Sequence, residues 1–417
     1  LTINKNHRLK VYAALPVLNE NNNIPVIINN LLEQQDVETE LIICVNQPDD
    51  WWKDPIKKVV CENNRSSIDY IKSLEDSRIT LIDKSSEGNG WIGRKHGVGW
   101  ARKTAMDIAA QKANTNDLII SVDADTFYPD DYFLDVAESF ITHADAIGFS
   151  APYYHQITAD PIANRCILRY EIYMRNYALN MLLINNPYSF SAIGSGMACK
   201  ASVYRKVCGL TPKMSGEDFY FIQKLRKAGN IIIDSESVIY PASRFSDRVY
   251  FGTGPAMIKG RAGNWESYPI YSQDLFLDVK ATFDLFEELY THDIETPMDD
   301  FLIEAFIVPE ENIRNLWNPL RKNASSPGLF AKAATHKIDA LRILQYLKKE
   351  EKKDSSRQEN RLIEFLNNNF EADELIGTAF DELENKGFDA ISISDLNLIR
   401  DFMFVNERKL QHKAGVA

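Results

Sequence analysis

Asp117-Leu118-Ile119-Ile120-Ser121-Val122 runs straight into Asp123-Ala124-Asp125. The apolar run predicts a short buried strand, and the two acids then stand one residue apart at its carboxyl end. In open α/β sheets that end of a strand is where ligands bind. Two carboxylates at such an edge can share a divalent cation, and Mg2+ and Mn2+ prefer oxygen ligands and bridge to phosphates. The same Asp-x-Asp can equally start a turn or cap the next helix.

Working outward, the residues before this strand alternate between two periods. Val11–Val17, Glu40–Asn46 and Ile79–Ile82 are short apolar runs that predict strands. Between and after them, Ile24–Gln35, Val98–Ala113 and Asp130–Ile141 carry apolar or small residues at helical spacing. Strand–helix alternation predicts a mostly parallel sheet covered on both faces. Beyond it the pattern loosens. Ala146–Ala151 and Ser191–Cys199 are expected strands, Ile162–Leu183 a long helix rich in Tyr and Arg, and Ile231–Asp234 and Val238–Tyr240 short strands. Asp218–Ala228 reads as a helix ended by Gly229 at the usual left-handed cap position. Arg244–Asn264 is basic, Gly-rich and without clear period, which predicts a functional lid able to close over an anionic leaving group or, equally, a solvated connector between domains. From about Asp274 only helices are expected: Asp274–Tyr290, Met298–Phe306, Ala334–Glu351, Arg357–Asn369 and Asp395–Lys409.

The 417 residues suit two domains, and 45% hydrophobic with 25% charged residues is a globular composition. A net charge of −12 argues against a nucleic-acid binder. The charge is uneven. Residues 1–269 hold 29 basic against 31 acidic residues, whereas residues 270–417 hold 18 against 28. We therefore expect a first domain over 1–269 and an acidic helical domain of unknown role over 270–417. Five cysteines with no C-x-x-C predict reduced thiols, no zinc site and a cytoplasmic protein. No run approaches the ~20 apolar residues of a membrane span. An integral membrane segment is not expected, while peripheral membrane contact stays open. The start, LTINKNHRLK, has no signal-peptide pattern, and its Leu in place of Met leaves room for missing or trimmed residues.

Three other stretches carry candidate chemistry. Glu217 and Asp218 open the helix FYFIQKLRKAG after Met214-Ser215-Gly216. Acids at a helix start are favoured by the dipole, and an adjacent pair can also supply a general base. GNGWIGRKHGVGWARK, Gly88–Lys103, combines glycines with Arg94, Lys95, Arg102 and Lys103, groups that can meet a diphosphate. It is neither a Walker loop nor a dinucleotide fingerprint. Trp51 and Trp52, after Asn46-Gln47-Pro48, can stack on a ring or pack in the core.

In this order the stretches resemble a family 2 glycosyltransferase of the GT-A fold, over roughly residues 9–265. VYAALPVLNENNNI resembles the family's opening strand, P-x-x-N-E and first helix. GVGWARKTAMDIA resembles its G-x-A-R-N helix start, with Lys103 where Asn is commoner. SVDADTFYPDDYF resembles its metal-binding strand end. The stretch from Ser191 to Gly229 resembles its acceptor half, leading to an E-D pair. The resemblance implies a GT-A, nucleotide-diphospho-sugar transferase-like sheet, mostly parallel and flanked by helices, followed here by an all-helical C-terminal part.

It also implies a sugar transfer from a nucleoside-diphosphate sugar to a carbohydrate or other hydroxyl acceptor, with Mn2+ or Mg2+. Pro16, Asn19 and Glu20 would line the nucleotide site, with Arg94, Lys95, Arg102 and Arg248 near the donor. Asp123 would face the nucleotide-sugar within the metal pair Asp123 and Asp125. Asp218 would be the base of an inverting single displacement, with Glu217 beside it. The second strand usually ends in an acidic pair that meets the base, and here Asn46 stands there. The R/Q-x-x-R-W of processive synthases is lacking. Acceptor choice is expected around Tyr153–Tyr188. Two other readings are weighed: a haloacid-dehalogenase-like phosphatase using Asp123 and Asp125, and a nucleotide-sugar-binding protein without turnover.

Overall fold

The computed structural model describes residues 10–247, 252–308 and 313–417, which divide into two compact units. The first holds residues up to Tyr170, Phe190–Asn264 and Gln411–Ala417; the second holds Glu171–Ser189 and Trp265–Leu410.

The first unit is built on a seven-stranded sheet. Strands β1 (Lys10–Val17), β2 (Glu38–Asn46), β3 (Ile79–Lys84) and β4 (Leu118–Ser121) are mutually parallel in the order β3-β2-β1-β4. Helices α1 (Ile24–Leu32), α2 (Lys58–Ser73) and α3 (Val98–Lys112) make the crossovers. β1 and β4 are apolar and buried along their lengths because both faces of the sheet are covered. Register pairs Val11 with Leu118 and Ala14 with Ser121. Beyond β4 a short β5 (Thr126–Phe127), α4 (Tyr132–Thr142) and β6 (Gly148–Ser150) follow. α5 (Pro161–Leu183) starts in this unit. β7 (Met197–Lys200) lies antiparallel between β4 and β6, and β8 (Ile231–Ile232) runs parallel to β6. α6 (Ala201–Lys206) and α7 (Glu217–Ala228) join them. β9 (Tyr240–Pro241) pairs with β5 in a separate ribbon. At the β8 edge the chain's last residues add a rung, with Ile231 and Ala417 exchanging both backbone hydrogen bonds.

This is the expected fold class, a mostly parallel sheet flanked by helices with an all-helical C-terminal part. Several local expectations change. Ser191–Cys199 becomes a strand only from Met197, after a single 3-10 turn at Gly194–Gly196. Gly229 ends α7 in extended backbone (φ 173°), not in the left-handed region. The segment after Arg244 contains a helix, α8 (Thr253–Arg261), whose lack of an apolar stripe hid it from periodicity. α2 was not expected either: its buried face mixes Asn64 and Ser67 with Cys61, Ile68 and Ile71.

The second unit carries the rest of α5, then α9 (Gln273–Asp284), α10 (Asp299–Ala305), α11 (Arg314–Asn323), α12 (Pro327–Lys337), α13 (Ala340–Glu350), α14 (Gln358–Asn369), α15 (Glu374–Ala390) and most of α16 (Ile393–Ala414). The single helix expected over Ala334–Glu351 is two. α12 stops at Lys337, and the Asp339 side chain caps α13 by accepting from the Arg342 N–H. Inside this unit lies a buried charge network. Arg175 donates to Glu171 from Nε (3.0 Å) and Nη2 (2.6 Å), and to Glu407 from Nη1 (2.5 Å). Arg400 donates to the other Glu171 oxygen at 3.3 Å. These four side chains are at most 2% exposed.

Candidate active site

Arg102 is the centre of the site. Helix α3 can start close to the segment before Glu217 because Gly99 has no side chain: a Cβ there would lie 2.2 Å from the Lys213 carbonyl oxygen. About one turn later Arg102 projects beneath the end of β4. Its Nη1 donates to Ser121 Oγ (2.5 Å) and to the Gly194 carbonyl (3.0 Å). Its Nη2 donates to Asp123 Oδ1 (2.9 Å) and its Nε to Glu217 Oε1 (3.0 Å). The residue is 2% exposed. Burying a guanidinium is tolerable only when it is paired and hydrogen-bonded. Burial opposes its charge, and the carboxylates of Asp123, Glu217 and Asp218 outweigh that and raise its pKa.

Asp218 lies half-buried at the start of α7, with Oδ1 accepting from the Phe219 N–H at 2.8 Å. Gly194 makes its approach feasible. A Cβ there would sit 2.9 Å from Arg102 Nη2 and 3.3 Å from Asp218 Oδ2. Burial first, and then the charge of Glu217, push the Asp218 carboxyl up to about 7, against the pull of Arg102. A carboxylate that titrates near neutrality suits general-base work. Glu217 is different: it is 3% exposed and engaged by Arg102. Asp123 is fixed from a further side, since its N–H donates to the buried Tyr128 hydroxyl (3.0 Å), which donates to the Ser195 carbonyl (2.9 Å).

Asp125 belongs to a second group. The Ala242 N–H donates to the Asp125 carbonyl at 3.1 Å, extending the β5–β9 ribbon, and this brings Arg244 over the strand ends. Arg244 Nη2 donates to Asp125 Oδ2 (2.5 Å) and also to Glu20 Oε1. Glu20, buried just after β1, accepts from the Asn23 amide as well. Arg244 Nε is buried without a partner among the described residues. The donor set at the strand ends suits a hard divalent ion: Asp123 and Asp125 offer carboxylate oxygens and are 31% and 23% exposed. Among the described residues no group of three His, Cys, Asp or Glu side chains is placed to hold a metal. Two carboxylates fit an ion whose remaining ligands are phosphate oxygens and water.

The other expected residues are placed as follows. Pro16 is buried within β1, opposite Cys44 of β2. Asn19 is exposed with φ 58°, and its N–H donates to Asn64 Oδ1 at 2.8 Å. Asn46 is 2% exposed; its amide donates to the Val17 carbonyl (2.9 Å), and its Oδ1 accepts from Trp91 Nε1 (3.2 Å). The first bond ties the ends of β1 and β2, and the second ties β2 to the loop before α3. Arg94 and Lys95 are exposed on the loop before α3 and make no ion pair with the acidic cluster among the described residues. Arg248 lies outside the described residues. Trp52 donates to the Ser85 carbonyl at 2.8 Å, under the guanidinium of Arg65, while Lys57 sits over Trp51.

Sequence reasoning missed Ser121, Tyr128 and Gly194 as parts of the site, and gave Arg244 no partner. A serine facing a charged side chain from inside an apolar strand was the one available signal. The Arg244 contacts depend on the β5–β9 pairing, and two-residue strands leave no periodicity to read.

No protein-family model matches the chain, and no curated protein matches it. Among solved structures it is similar to S. aureus TarS residues 1–349 in complex with UDP-GlcNAc, at 13% identity and TM-score 0.39, covering 97% of this chain and 91% of that one. It is similar to the mannosyltransferase PcManGT from Pyrobaculum calidifontis in complex with GDP-Man and Mn2+, at 15% identity and TM-score 0.39, covering 82% and 86%. A third is glucosyl-3-phosphoglycerate synthase from Mycobacterium tuberculosis with Mn2+, UDP-Glc and glycerol 3-phosphate, at 13% identity and TM-score 0.31, covering 61% and 81%. Among the described residues no helix is long and apolar enough to cross a membrane.

Proposed function

We propose that the chain is a glycosyltransferase of the family 2, GT-A type, moving a sugar from a nucleoside-diphosphate sugar to an acceptor hydroxyl with inversion. One observation carries this reading. Arg102 ties Asp123, at the end of the central parallel strands, to the Glu217–Asp218 pair at the head of a later helix, and leaves Asp218 as the half-buried carboxylate that titrates near 7. In this reading Asp218 takes the proton of the acceptor hydroxyl as its oxygen attacks the sugar. Glu217 and Asp123 are held by Arg102 and position the site rather than exchange protons.

Asp123 and Asp125 would hold Mn2+ or Mg2+, and such an ion supplies charge neutralisation for a diphosphate leaving group. The five acids Glu20, Asp123, Asp125, Glu217 and Asp218 surround two arginines, Arg102 and Arg244. An anionic donor therefore needs added positive charge before it can settle there. Asn19, Arg94, Lys95 and Arg248 remain donor-side candidates. Pro16 and Asn46 shape the strand ends from within.

The test is a screen of UDP- and GDP-sugars with Mn2+ or Mg2+, read first as binding and then as slow donor hydrolysis, which needs no acceptor. Donor hydrolysis that chelator stops and Asp218→Asn removes is expected. Hydrolysis of aryl phosphates without any sugar nucleotide would replace this reading with the phosphatase. Binding without hydrolysis of any donor would favour a non-catalytic binding protein.

A further inference from the structure

Arg244 is not a bystander at this site. Its guanidinium bridges Glu20, from the end of β1, and Asp125, from the end of β4. It is carried there by backbone, since the 240–242 segment is paired to residues 125–127. A divalent ion bound at Asp125 needs the same carboxylate that Arg244 holds, and a dication and a guanidinium side by side repel strongly in a partly buried site. The two cations therefore compete for the Asp125 carboxylate, whose Oδ2 Arg244 holds. An arginine displaced from it still has its short tether to the ribbon, and a planar guanidinium matches a phosphate as well as a carboxylate.

Resting on the sugar-transfer reading, we propose that Arg244 is an exchangeable counter-ion: it leaves Asp125 when the divalent ion arrives and pairs with the donor's diphosphate. The consequence is coupling. The ion alone must displace an arginine that is then left with Glu20 only, and the diphosphate alone finds Arg244 already taken. Together, each ligand removes the obstacle to the other. Through one side chain, the exchange thus adds to the positive cooperativity that direct contact between the ion and the phosphate oxygens already gives.

The experiment titrates Mn2+ into the full chain by electron paramagnetic resonance and calorimetry, with and without UDP or GDP, for the unaltered protein and for Arg244→Gln. In the unaltered chain nucleotide should tighten Mn2+ binding by about 5- to 150-fold, the usual span of such coupling. Arg244→Gln should bind Mn2+ alone more tightly than the unaltered chain and show a smaller tightening by nucleotide. Arg244→Lys keeps the positive charge and should bind Mn2+ alone no more tightly than the unaltered chain. Unchanged Mn2+ affinity in Arg244→Gln, or tightening by nucleotide as large as in the unaltered chain, overturns the exchange and leaves the sugar-transfer reading in place. An unaltered chain that binds neither nucleotide under any metal overturns both.

Discussion

In the first unit Arg102 faces three carboxylates, Asp123, Glu217 and Asp218; in the second, Arg175 and Arg400 face two buried ones, Glu171 and Glu407. Both clusters bury guanidinium groups, and both link elements distant in sequence. Their balance separates them. The second pairs two arginines with two buried glutamates, and Arg400 also donates to Asn397 and the half-exposed Asp401. Such a network fixes how helices pack and asks for no further partner. The first carries surplus negative charge at the open ends of strands, and burial and the charge of Glu217 push the Asp218 carboxyl up despite the nearby Arg102. A surplus of this kind is a cost to the fold that makes sense where a ligand and a cation complete it.

The largest effect expected from that contrast is on turnover. Asp218→Asn should lower donor hydrolysis or transfer by about 10²- to 10⁴-fold, the usual contribution of a positioned base, while nucleotide binding by calorimetry is kept. A variant as active as the unaltered protein removes Asp218 from the mechanism. Next come single breaks of the two clusters. Arg102→Leu strands Asp123 and Glu217, and Arg175→Leu strands Glu171 and Glu407, so each should lose about 3–5 kcal/mol in urea unfolding. Only Arg102→Leu should also abolish hydrolysis per folded molecule. Equal activity in the two variants would erase the functional side of the comparison.

A third effect is on pH dependence. Because Asp218 must be ionised to accept a proton, kcat/KM should rise with pH and level off above about 7, falling about tenfold per pH unit below it. A profile flat from pH 5 to 9 would place the base elsewhere.

How much of this was legible in the sequence follows from the same contrast. The parallel half of the sheet was legible because β1, β2 and β4 are buried on both faces and so are written as unbroken apolar runs. The candidate acids were legible because Asp123 and Asp125 follow such a run directly and Glu217 and Asp218 open a helix. The partners that give the acids their character were not. Arg102 pairs with Glu217 across 115 residues, and Arg244 with Glu20 across 224. Nothing local in sequence marks such pairs. The balanced network was invisible for the same reason: Arg175 and Glu407 look like ordinary surface charges on amphipathic helices.

The smallest effect tests the cost assigned to Asp218. Its folded pKa, about 7, lies above the ordinary 3.8 of an aspartate, so the folded chain holds that proton more tightly than the unfolded one. Folding is therefore unpenalised at this residue below about pH 4, loses stability as pH rises from 4 to 7, and carries the full penalty above that. Asn cannot ionise, so Asp218→Asn escapes the penalty. The Tm advantage of the variant should widen between pH 5 and pH 8 by roughly 2–4 °C, the shift that about 1 kcal/mol gives in a domain of this size. That modest figure reflects a carboxylate still reached by solvent. A variant that loses activity while its Tm advantage grows with pH would show the unbalanced cluster trading stability for a reactive carboxylate. A Tm difference that is constant or shrinks over that range would mean that Asp218 is an ordinary surface acid and that the two arginine clusters differ in composition alone.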